Sequence, residues 1–258
     1  VAREALALAV QIGDEELIGV CHTWVGITLR QRGHADQALA HLREGVSRGS
    51  ELAGLELSYS LIEQGELAES EQLARRALAH FDALGHQQAV SMAITCLAEI
   101  SRRTGDLDEN RRLHLRAIDL AGPGASRGAL FGGLNYAVSL VVTHRDYDSA
   151  RAVLESIRRR AAQRGLIRLE VGVSAAWLAA GAVEMDELAW ATEISSLKEL
   201  LARTGLNKPV VADCCEHAGQ RCISTRPDRA LQSFELAEAQ WRGCRRVADA
   251  DRVAAMRS

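Results

Sequence analysis

One fourteen-residue phrase, residues 33–46 (GHADQALAHLREGV), is rewritten along the whole chain. It recurs as 65–78 (GELAESEQLARRAL), 105–118 (GDLDENRRLHLRAI), 146–157 (DYDSARAVLESI) and 227–237 (PDRALQSFELA). Each copy opens on a turn, continues with a small residue, and then spaces apolar residues three, four and seven apart. That spacing makes one helix of a repeated helix pair, with its start signal attached. Each second helix carries one apolar stripe that its partner covers. A pair alone leaves another apolar face open, so neighbouring pairs must stack. The chain is therefore expected to be all-α.

The totals agree. At 258 residues, 47% hydrophobic and 25% charged, the chain is long enough to bury a sizeable core. Its three prolines leave 1–120 without one, as long helices joined by tight turns require. Aromatics are only 4%, so Leu, Ala, Val and Ile must build the core. The formal net charge of −3 gives no electrostatic footprint for nucleic acid. From Arg221 onward eight arginines face five acids, which reads as a solvated basic face. Six cysteines (21, 96, 214, 215, 222 and 244) sit inside apolar-periodic stretches, as free buried thiols of a reducing compartment do. No run approaches the ~18 apolar residues of a membrane span, and 1–10 lacks a basic start followed by a cleavage site. A cytoplasmic location is expected.

In order, helices are expected over 1–12, 14–32 (with Asp14 as N-cap), 35–47, 51–64, 66–84, 87–104, 107–121, 126–143, 148–164, 167–182, 186–203, 209–224 and 228–242. Turns fall at Gly13, Gly33, Gly49, Gly65, Gly85, Gly105, Gly122-Pro123-Gly124, His144-Arg145-Asp146, 183–185, Gly205 and Arg226-Pro227. The helix over 1–12 is too short to stand alone in water. It reads as the second helix of a pair whose first helix lies upstream, so the chain reads as a piece of a longer protein. The segment 244–256 reads as a helix capping the last repeat. The expected architecture is a single domain, 1–258: an α-solenoid of about six hairpins and a terminal cap.

These repeats resemble tetratricopeptide (TPR) repeats, which place small residues at position 8 of the first helix and at 20 and 27 of the second, with a larger apolar residue at 24. The first copy puts Gly26, Ala38, Leu42 and Gly45 there, and the second Ser58, Ser70, Ala74 and Ala77. The sixth, with Ala218, Ala230, Phe234 and Ala237, matches closest. The fourth gives Val138, Ala150, Leu154 and Ile157; the third departs with Asn110 at 20 and His114 at 24; the fifth gives Trp177, Ala189, Glu193 and Ser196. Successive position-20 residues lie 32, 40, 40, 39 and 41 apart, longer than the TPR period of about 34, so HEAT-like repeats are the alternative. Degenerate repeats of this kind look like the C-terminal region of MalT-like and other LuxR-type bacterial ATPase regulators. What that resemblance implies is a non-enzymatic protein- or peptide-binding module of a multidomain transcriptional regulator engaged in signalling, or alternatively an inducer sensor.

Carried over, the TPR pattern has the first helices line the binding surface through positions 2, 5, 9, 12 and 13. It implies Val20, Thr23, Ile27, Arg30 and Gln31 from the first copy, and Leu52, Leu55, Tyr59, Ile62 and Glu63 from the second. The third supplies Met92, Thr95, Glu99, Arg102 and Arg103, and the fourth Asn135, Ser139 and Thr143. Apolar positions interleaved with Arg, Glu and Asn suit an extended peptide or partner helix, including another domain of the same polypeptide.

Other chemistry finds no footing in the residues. On one helix Cys215 and Cys222 lie within about 20° of each other, but Cys214 is about 100° away and His217 further round, so the four cannot converge on zinc. His144-Arg145-Asp146 lacks every companion of a kinase catalytic loop. No P-loop or GxGxxG occurs, and the histidines at 22, 41, 80, 86 and 114 have no nucleophile at motif spacing. The expectation is no enzyme, no cofactor, no metal, and no direct nucleic-acid or membrane contact.

Overall fold

The computed structural model describes residues 2–31, 34–121 and 127–257, with the side chains of Gln31 and of 121–129 excepted. The turns expected at Gly33 and at 122–124, and the helix start at 126, lie outside the described residues. Among those described, every regular element is helical. The chain divides into two compact units, Val1–Gly124 and Ala125–Ser258.

The first unit holds α1 (Ala2–Ile12), α2 (Glu15–Gln31), α3 (Ala35–Ser47), α4 (Glu51–Gln64), α5 (Leu67–Ala83), α6 (Gln87–Thr104) and α7 (Leu107–Ala121). Three hairpins, α2/α3, α4/α5 and α6/α7, stack in chain order. Each first helix packs on its own second helix and on the second helix before it, and α2, α4 and α6 also touch side by side. The second unit holds α8 (Arg127–Ser139) with a π-helical continuation (Leu140–His144), α9 (Tyr147–Gln163), α10 (Ile167–Gly181), α11 (Glu187–Thr204), α12 (Pro209–Cys222), α13 (Pro227–Gly243) and α14 (Val247–Ala255). Here α8, α10 and α12 form the row of first helices, and α14 packs on α13.

Local chemistry sets these ends. Asp14, Ser50, Asp106, Asp146 and Asp186 each accept a backbone N–H three residues on, satisfying a donor that the first turn leaves open. Pro209 and Pro227 occupy first helical positions, where the missing N–H costs nothing. Gly65 and Gly105 close α4 and α6 at φ 87°, ψ 5°, a left-handed conformation open to glycine without a Cβ penalty. In the second unit Arg145 (φ 56°) adopts the same region after the π segment, an uncommon choice for a residue with a side chain.

Where paired helices cross, the contact is made in three different ways. In the first hairpin Gly26 lies against Leu42: a Cβ at Gly26 would stand 2.7 Å from Leu42 Cγ. In the second, Ser70 Oγ donates to the Ser58 carbonyl at 3.0 Å and the two hydroxyls meet at 2.9 Å. In the third, the fully buried Asn110 donates its amide to the Ala98 carbonyl at 2.7 Å. Asn110 therefore does with a hydrogen bond what a small side chain does elsewhere.

In the second unit the expected register shifts by one residue in places. Gly219, beside the expected Ala218, meets the Phe234 ring, which a Cβ there would approach to 2.6 Å. Ala137 is buried and Val138 half-buried. The buried face of α11 is Trp190, Ile194 and Leu197, in place of Ala189, Glu193 and Ser196. Trp190 meets α13, its indole N–H donating to Gln232 at 3.1 Å and its ring lying 5.2 Å from the Arg229 guanidinium.

One substitution at two glycines separates crossing from mere helix content. Gly219→Ala should destabilise the chain by about 1–3 kcal/mol, since Phe234 is buried and cannot retreat. Gly132→Ala, in α8 with nothing within 4 Å of the added Cβ, should stabilise it by about 0.5–1 kcal/mol. Urea denaturation of both variants checks the opposite signs.

Candidate partner-binding face

The row α2, α4 and α6 presents one side to solvent, and the expected groove residues divide across it. Thr23 is buried, its hydroxyl donating to Gly19 O at 2.8 Å and meeting Ser50 Oγ at 2.9 Å. Ile27, Leu55, Ile62, Thr95 and, in the second unit, Ser139 are buried as well. Thr95 donates back to Ser91 O at 2.9 Å within its own helix. α4 touches a first helix on each side, and α2 and α6 each touch α4, which turns position 5 inward and leaves a narrower open strip.

What stays accessible is Val20, Arg30, Leu52, Tyr59, Glu63, Met92, Glu99, Arg102 and Arg103; in the second unit Asn135 and Thr143 are half-buried. Arg30 on α2 is paired with the nearly buried Glu56 on α4, and its guanidinium lies 5.9 Å from the centre of the Tyr59 ring. The Tyr59 hydroxyl donates to Met92 O on α6 at 3.2 Å. Arg30, Glu56, Tyr59 and Met92 thus tie three successive first helices together.

Beside them Glu99 accepts from Arg102 at 2.6 and 2.8 Å and from Arg103 at 2.9 Å. Burial opposes the Glu99 charge, but the two guanidiniums win and hold its carboxyl below the usual range. One carboxylate thus binds two arginines at the end of α6. Underneath, burial above all pushes the Cys96 thiol up to about 12, despite hydrogen bonds from Ser58 and Tyr59 that favour the thiolate. Burial likewise raises the Cys214 thiol and pushes the Cys215 thiol up to about 12. These thiols are protonated at neutral pH and are not nucleophiles. Among the described residues no three His, Cys, Asp or Glu side chains gather as a metal site.

Sequence reasoning missed two side-chain clusters. His22 on α2 and His41 on α3, read as scattered, meet with Nδ1 atoms 3.0 Å apart, so one ring must donate to the other. In the second unit Tyr147 hydrogen-bonds His217 at 3.1 Å, and the Arg221 guanidinium sits 3.5 Å from the Tyr147 ring centre. The reading of the C-terminal arginines as a solvated face fails for Arg221 and Arg229. Arg221 donates to the Ala179 and Ala180 carbonyls, and the buried Arg229 to Ala182 and Met185. They satisfy the carbonyls at the end of α10, a need visible only once α12 and α13 lie beside it.

A recess of about 390 Å³ lies between α1, α2 and the start of α3. Among the described residues no helix is long and apolar enough to cross a membrane.

No protein-family model and no curated protein matches the sequence. Among solved structures the chain matches the TPR2AB-domain:pHSP90 complex of yeast Sti1, at 11% identity over 93% of this chain and 97% of that one, with a TM-score of 0.36.

His217 generates a pH prediction. Burial first, then the charges of Arg221 and Arg145, lower it to about 4, against about 6.5 when free. The stability that the neutral ring contributes is complete above pH 6.5. It is lost as pH falls from 6.5 toward 4, where the unfolded chain takes a proton that the folded chain refuses. The unfolding free energy should drop by about 2 kcal/mol between pH 7 and pH 5 through this ring. His217→Gln should remove that part of the dependence in paired denaturation curves.

Proposed function

We propose that this chain is a non-enzymatic protein- or peptide-binding scaffold that uses the open strip of α2, α4 and α6. The observation that carries the reading is the alternation along that strip. Half-exposed Leu52, Tyr59 and Met92 offer apolar anchors, while Glu63 and the Arg102–Glu99–Arg103 group offer charges at the rim. Anchors oriented by polar neighbours suit an extended peptide or the face of a helix. The Tyr59 and Arg30 side chains are already held by the Met92 carbonyl and by Glu56, so ordering them costs little on binding.

The repeat grammar, the protonated thiols and the net charge of −3 further support a cytoplasmic module of a multidomain bacterial regulator. There the bound segment would belong to a partner or to another domain of the same polypeptide.

Peptide-display selection on the immobilised chain tests this. Selected peptides should bind the Arg102→Ala/Arg103→Ala variant at least about tenfold more weakly, a loss of about 1.4 kcal/mol. Binding should be unchanged by Arg75→Ala/Arg112→Ala, on the second helices α5 and α7. Peptides indifferent to both pairs would refute the strip as the site. A metabolite that raises the melting temperature specifically, with no peptide selected, would replace the reading with inducer sensing.

A further inference from the structure

His22 stands one turn before the crossing residue Gly26 on α2, and His41 three residues after Ala38 on α3. In the next two hairpins the same two places hold Gly54 with Leu73, and Ile94 with Leu113. Leu73 covers Gly54, its Cδ2 lying 3.6 Å from where a Cβ would stand, and Ile94 and Leu113 belong to one buried apolar cluster. The hairpin architecture therefore fills this place with hydrocarbon twice, and the first hairpin alone puts two imidazoles there. The crossing itself does not need them, since Gly26 and Leu42 already make it.

The two rings meet nitrogen to nitrogen rather than face to face. Their Nδ1 atoms are 3.0 Å apart, their centres 5.0 Å apart, and their planes inclined at 39°. A single ion held by two imidazole nitrogens at about 2.0–2.1 Å, subtending about 90–110°, fixes those nitrogens about 2.8–3.4 Å apart. The observed spacing falls within that range. Both rings are half-buried, anchored in the hairpin yet within reach of solvent. The charges around them are Arg48 and Glu44 of α3 and Arg3 of α1, and Arg48 pairs with both Glu44 and Glu15 of α2. Burial, then His41 and Arg48, lower the basicity of His22; burial, then Arg3, lower that of His41; Glu44 opposes in both. Both rings are therefore neutral at pH 7, the form that ligates metal.

We propose that His22 and His41 together chelate one divalent transition-metal ion of the class that favours imidazole (zinc, nickel or copper), joining α2 to α3. Between the rings alone, one Nδ1–H donates to the other Nδ1. With the ion both Nδ1 lone pairs turn to the metal, and that proton moves to Nε2 of its own ring, so no proton is released. Two rings supply two positions, and water or a donor from outside the chain fills the rest. A two-ligand site is compatible with there being no group of three His, Cys, Asp or Glu among the described residues. The inference stands apart from the proposed binding strip.

The test titrates zinc chloride into the 258-residue chain, free of any affinity tag and with its thiols kept reduced by a phosphine, at pH 7. Calorimetry should find one zinc per chain, bound at least about tenfold more weakly by His22→Gln or by His41→Gln. His80→Gln/His86→Gln, which removes two exposed rings, should change nothing. Long-range ¹H–¹⁵N spectra should show zinc shifting Nδ1 of both His22 and His41 and leaving both rings as the Nε2–H tautomer. The variant His22→Ile/His41→Leu copies the third hairpin. In EDTA it should melt at or above the parent's temperature, and it should no longer bind zinc at this site. No zinc bound by the parent, equal binding by parent and Ile/Leu variant, or ligation through Nε2 would each overturn the proposal. So would an Ile/Leu variant that melts well below the parent in EDTA, which would make the pair a structural hydrogen bond.

Discussion

Two helices can lie close over several turns only if the residues at their crossing leave room, and the hairpins of this chain meet that demand by different chemistry. Gly26 and Gly219 remove the side chain, so a large partner, Leu42 or Phe234, fills the gap. Ser58 with Ser70, and Asn110 with the Ala98 carbonyl, keep a polar side chain and satisfy it across the crossing. Both routes obey one rule: a buried crossing tolerates neither an unfilled volume nor an unpaired polar atom. The polar route is the more brittle, since truncating either member strands the other in a dry interface. It fixes the rotation of one helix against the other through a directed bond, which an alanine contact cannot do.

Much of this was legible in the amino-acid order. The 3.6-residue period, the capping aspartates and the left-handed glycines mark nearly every helix boundary, because each acts within a few residues of itself. The crossing positions Ala38, Ala150 and Ala230 are buried, as their small size and spacing implied. What did not show were contacts between distant segments. Nothing local marks Arg221 and Arg229 as caps for α10, roughly forty residues earlier, or joins Tyr147 to His217 seventy residues on. The one-residue shifts at Ala137, Trp190 and Gly219 share this origin. A hundred-degree rotation of a helix is decided by whichever neighbour fits, and the period alone is nearly indifferent to it.

The strip of α2, α4 and α6 was visible as a set of candidate positions and not as a surface. A residue pattern says which side of a helix faces a row of neighbours, while the spacing of that row decides whether a side chain at its edge is open or covered. Thr23, Ile27 and Thr95 fall on the covered side of that boundary. Tyr59 straddles it, half-exposed while its hydroxyl is held by the Met92 main-chain carbonyl, so it can contact a ligand without first being ordered.

The same spacing argument accounts for the open edge at α1 and α2. In a stack, every interior helix has the surface it turns to its predecessor covered, and natural end helices answer the missing neighbour with polar side chains. In α14 the exposed Asp251 and Arg252 turn back to the preceding helices, Arg252 pairing with Glu216 of α12 and Asp251 with Arg242 of α13. α1 and α2 break the polar-end rule with Leu8, Ile12 and Trp24. Three large apolar side chains left in water on adjoining faces forgo several kcal/mol of burial.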